Sequence, residues 1–218
     1  MRPSTLARLS GLALLTGALV GAVAMAIHPD SPRDPLDGPL HTLYLPAILL
    51  VLLGLSALLA RLAERAGPLG LVGGLALWFG LAVAEVPHAA ISATALPALL
   101  ANPSTNALVS EDSIAFANLM AGPWGVMLPI AEALLAIGAL AIPAAVLRSG
   151  AFPRWPALAL LAALLVSVLS MVTPVVPGNI GPVLVFVGLA GMGLTLLFEL
   201  GPERLPIRRR TFAASAQA

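Results

Sequence analysis

The chain has 218 residues, of which 59% are hydrophobic and 10% charged, with a mean hydropathy of +1.00. A soluble domain carries roughly a quarter charged residues, so this composition excludes an ordinary globular core and fits a chain solvated by lipid. With no cysteine, no lysine and a net charge of +1, disulfides, thiolate sites, lysine chemistry and nucleic-acid binding are excluded as well.

Six apolar segments follow one another, near residues 6–27, 43–62, 69–95, 124–147, 156–175 and 180–200. Each is long enough to cross a bilayer as a helix. The first contains Gly17 and Gly21 at a four-residue spacing, a small-residue face that lets another helix approach closely. Ala24-Met25-Ala26 at its end resembles a signal-peptidase site, but the apolar part exceeds the ~7–15 residues of a signal h-region, which favours a retained helix. Residues 28–41 read as a polar link. Its prolines (Pro29, Pro32, Pro35, Pro39) argue for an extended, turn-rich loop that delivers His41 to the start of the second span.

Tyr44 has the position of an interfacial anchor. Gly73, Gly74, Gly80 and Pro87 loosen the third span, and residues 97–113 read as a loop. A short interfacial helix capped by Ser110 or Asp112 is expected to run through Phe116 and Met120. Trp124 and Trp155 are placed as belt residues, whereas Trp78 is deeper and reads as packing. Residues 204–218 form a basic tail with Arg208, Arg209 and Arg210, and Glu199 is expected to pair with it.

The fold class expected is therefore all-α: a polytopic membrane bundle of about six transmembrane helices, spanning residues 1–203. Every arginine but Arg33 falls at the head, the tail or an alternate link. The positive-inside rule then places both termini in the cytoplasm, which requires an even number of spans. His28, Asp30, Asp34, Asp37, His41, Glu111 and Asp112 fall on the outer side.

Chemistry concentrates in Ala84-Glu85-Val86-Pro87-His88. Ionisable groups inside a span are costly and mark function by default. Glu85 and His88 are three apart and share a helix face, and Ser92 continues it one turn on. Glu132, in the next span, is expected at a similar depth, where both carboxylates face the bundle interior. These four residues are the candidate ligand-binding or proton-relay set, with His28 and His41 at the cavity mouth. His88, Glu85, Glu132 and His41 are the candidate metal ligands, and a haem would take His41 and His88 as axial ligands. On this reading no second histidine sits at the depth of His88.

His28-Pro29 after the first span, His41 opening the second, and an acid with a histidine late in the third carry a further likeness. In this layout the chain resembles a loose group of uncharacterised small bacterial inner-membrane proteins. The resemblance implies a multi-pass protein of the bacterial inner membrane and no particular activity.

Three functions compete. The first is binding or transport of a cation, proton or small polar ligand through an outward-facing polar cavity. The second is a membrane enzyme or redox protein holding a divalent metal or haem. The third is an accessory subunit, or a homo-oligomer, whose Gly17/Gly21 face is buried by a partner helix.

Overall fold

A computed structural model describes residues 3–106, 121–173 and 175–198. The expected helix near Phe116, Glu199 and the arginine tail lie outside these residues. Among the described residues, six helices are long and apolar enough to cross a membrane. We label them α1 (Pro3–Ala26), α2 (Asp37–Ala66), α3 (Pro68–Ala90), α6 (Pro123–Ser149), α7 (Arg154–Val172) and α8 (Ile180–Phe198). A π-helical turn (Ile91–Ala95) and the short α4 (Leu96–Ala101) prolong α3, and α5 (Pro103–Asn106) follows. The all-α bundle is thus as the composition requires.

Consecutive long helices pack on one another, and α8 closes the ring against α1. The core is aliphatic, with Leu14, Ile48, Leu55, Leu58, Ile142, Leu189 and Met192 fully buried. In lipid, apolar surface alone does not hold helices together, so close backbone approach must supply contact. A Cβ on Gly54 would stand 2.5 Å from the backbone nitrogen of Leu14, and one on Gly17 would stand 2.5 Å from the carbonyl oxygen of Ala47. Gly21 likewise abuts the ring of Phe186 on α8. The Gly17/Gly21 face is therefore buried between α2 and α8 of the same chain, which corrects the expectation that a partner covers it. Trp78 is packing, as expected: its indole N–H donates to the carbonyl of Leu52 at 3.2 Å.

Helices α4 and α5 occupy part of the stretch expected to be a loop over residues 97–113, and two further boundaries differ from the expected ones and shape the site. Helix α2 begins at Asp37, six residues before the expected span. Asp34 starts it: its carboxylate accepts from the Leu36 N–H at 2.8 Å, and its carbonyl accepts from the Asp37 N–H at 3.0 Å. Pro39 falls in the first turn, where its missing N–H has no intrahelical partner to lose. His41 is thus inside a helix instead of ending a loop. Helix α3 continues through Pro87 to Ala90 and then loosens into the π-helical turn, where the Leu96 N–H reaches back to the carbonyl of Ile91. Pro97 cannot donate to the preceding turn, which favours this wider register.

Candidate metal centre

On α2, Asp37, His41 and Tyr44 recur at i, i+4 and i+7, so they form one polar stripe on a helix face. All three are buried, at 4%, 1% and 2% exposure. The stripe meets the Glu85–His88 face of α3. The Tyr44 hydroxyl donates to Glu85 Oε2 at 2.9 Å, and the His41 and His88 Nε2 atoms lie 2.9 Å apart. His28, just beyond the end of α1, completes the group with its Nε2 3.3 Å from that of His41. One ligand atom from each of the three histidines lies within 4.8 Å of the other two.

The hydrogen bonds on the far side of two rings decide their tautomers. His28 Nδ1 lies 2.8 Å from the carbonyl oxygen of Pro29, and His41 Nδ1 lies 2.9 Å from that of Asp37. A carbonyl only accepts, so each Nδ1 is the protonated nitrogen and each neutral ring presents a lone pair at Nε2. His88 can donate to His41 through its own Nε2–H. The His28–His41 contact then sets two lone pairs face to face, which is repulsive unless a cation lies between them. Asp37 Oδ1, 3.4 Å from His41 Nδ1, adds negative charge behind the ring. A carboxylate or carbonyl behind each ligating imidazole is the usual support of a metal-bound histidine.

The spacing also suits a metal. Two nitrogens bound tetrahedrally at about 2.0–2.1 Å stand roughly 3.3 Å apart. The His28–His41 pair matches this distance, the His41–His88 pair needs to open by a few tenths of an ångström, and His28 and His88, whose ligand atoms lie within 4.8 Å of each other, need to close toward it. A haem does not fit between His41 and His88. Axial nitrogens across an iron stand roughly 4 Å apart, twice the about 2 Å metal–nitrogen distance, with the macrocycle between them. Here 2.9 Å separates the two nitrogens and His28 occupies the flank.

A cavity of about 530 Å³ adjoins the cluster. Its wall includes His28, Asp30, Glu85, His88, Trp124 and Glu132. His88 is the exposed member of the trio and His41 the buried one. The open side of the cluster therefore faces a space lined by three carboxylates and no arginine. Glu85, half-buried, and Glu132, exposed, both line this space. Trp124, expected in the interfacial belt, forms part of the same wall.

Three placements depart from the sequence reading. His28 and His41 are not a separate mouth above His88: all three converge at one point, because α2 starts early and carries His41 onto its buried face. Ser92 is buried in the π-helical turn, which packs on α2, and is not in the cavity wall. Tyr44 is the carboxylate's hydrogen-bond donor instead of an interfacial anchor. Tyr44 and Asp37 carried a signal that the loop assignment hid: with the helix begun at Asp37, they share His41's face.

Depth along the helices follows from the rise of about 1.5 Å per residue. His88 stands roughly 30 Å from Pro68 at the start of α3, close to the full hydrocarbon thickness of a bilayer. The cluster belongs near one end of the hydrocarbon layer, with Glu85 about one turn further in. No protein-family model, curated protein or solved structure matches the chain.

Proposed function

We propose that this integral membrane protein binds a divalent transition-metal cation through His28, His41 and His88. The observation that carries this reading is the convergence of three Nε2 atoms while backbone carbonyls hold the Nδ1 protons of two of the rings. Three neutral imidazoles suit zinc, copper or ferrous iron better than the harder calcium or magnesium. They leave the ion's charge uncompensated, and the surrounding Asp37, Asp30, Glu85 and Glu132 carboxylates offset it. A fourth coordination position faces the cavity, so a water or an incoming ligand completes the set. By the arginine distribution this cavity opens to the outer side of a bacterial inner membrane, with both chain termini in the cytoplasm. The protein then takes up or presents a metal ion at the outer face, and the acidic cavity wall favours cations over anions.

The test is elemental analysis of the detergent-purified protein after exposure to zinc, copper or ferrous iron and removal of free ion. The expected result is close to one ion per chain for one of these metals, with loss of that ion in His41→Ala and His88→Ala. Metal content equal in wild type and in both variants would overturn the reading.

A further inference from the structure

The opposite end of α2 carries a second cavity, of about 410 Å³, between the α2–α3 turn and the last turn of α6. Arg65 and Arg148 enter its wall from two different helices, beside Ser149, and no acidic side chain lines it. Among the described residues, neither arginine takes part in an ion pair or a hydrogen bond from its side chain. Arg61, one turn earlier on α2, is different: its guanidinium lies 4.6 Å from the centre of the Phe152 ring. The cavity thus gathers two guanidinium groups, each in the last turn of its helix, with no described acidic side chain in its wall.

Its level in the membrane narrows the ligand. Arg65 stands roughly 36 Å along α2 from His41 at about 1.5 Å per residue, further than the hydrocarbon thickness. The apolar part of α3 begins at this cavity, and that of α6 ends there. This is the level at which lipid phosphates lie. Guanidinium forks match the oxygens of a phosphate with paired N–H donors, which a lysine ammonium does not reproduce.

We propose that Arg65 and Arg148 together hold one phosphate group at this end of the bundle. The group is supplied by the headgroup of an anionic phospholipid or by free phosphate. Bound between the C-terminal ends of α2 and α6, beside the Gly67 turn that leads into α3, it would bridge the two helix ends that carry Arg65 and Arg148. This site is independent of the histidine cluster, and neither result bears on the other.

The experiment uses the full chain in nanodiscs of phosphatidylcholine and follows its thermal unfolding midpoint. Cardiolipin or phosphatidylglycerol is added to the bilayer in one arm, and inorganic phosphate to the buffer in the other. The expected result is a raised midpoint with anionic lipid, weakened about fivefold in apparent affinity by Arg65→Gln or Arg148→Gln and abolished by both. Arg154→Gln, which removes a charge from the neighbouring turn outside the cavity, leaves the effect unchanged. Stabilisation by phosphate alone, with the same variant pattern, identifies a soluble anion as the ligand. If neither addition moves the wild-type midpoint, the proposal is overturned, whether or not the variants fold. An equal loss in Arg154→Gln would overturn it too, because the effect would then be one of general surface charge.

Discussion

His41 and His88 are 47 positions apart in the chain, yet their Nε2 atoms lie 2.9 Å apart, on the facing stripes of α2 and α3. At that distance either a neutral His88 donates its Nε2–H to His41, or both rings turn their lone pairs to a bound metal ion. Replacing either ring leaves only two nitrogen ligands, and His41→Ala or His88→Ala is expected to weaken metal binding by well over 100-fold, more than the about 10–100-fold of a lost supporting group. Isothermal titration of the metal-stripped protein reads this directly, and retained affinity in both variants would remove the site.

Asp37 stands behind His41 and, at the proposed metal site, would support that ring without touching the ion. Its backbone carbonyl accepts the Nδ1 proton, and its carboxylate adds charge at 3.4 Å. Asp37→Asn keeps the carbonyl and removes the charge. A loss of about tenfold in metal affinity is expected, with stoichiometry unchanged. An unaltered affinity would show that the carboxylate contributes nothing.

Tyr44 gives Glu85 its one side-chain hydrogen bond among the described residues. In Tyr44→Phe the ring still packs on Phe186, at 5.9 Å between centroids, but the carboxylate loses its donor. The expected cost is about 1–3 kcal/mol of stability, as for a buried acceptor left without its donor. Tyr44→Phe combined with Glu85→Gln should recover part of it. Thermal unfolding of the two variants side by side decides this, since an equal loss in both would place the effect in packing instead.

Gly54 and Leu14 set the approach of α1 to α2. A Cβ on Gly54 meets the Leu14 backbone at 2.5 Å, and backbone cannot swing aside as a side-chain tip can. Gly54→Ala is therefore expected to destabilise by about 1–3 kcal/mol through overpacking. Because α1 leads directly to His28, metal affinity should fall with it. A stable variant with normal affinity would show that α1 can shift without moving the site.

By itself, the sequence determined the solvent and the scaffold. Six apolar runs in a chain with 10% charged residues have no stable arrangement other than membrane-crossing helices, because every backbone polar group must be paired in lipid. It also marked Glu85, His88 and Glu132 as the costly groups inside that scaffold. The histidine cluster was decided by tertiary structure. His28, His41 and His88 have no ligand spacing along the chain, and they meet only because α2 starts at Asp37 and its buried face turns toward α3. Residues 28–41, with their four prolines, read locally as a loop. The tight contact of α1 with α2 and the turn at Asp34 settle where that loop ends, and a periodic face becomes visible only when its first residue is known.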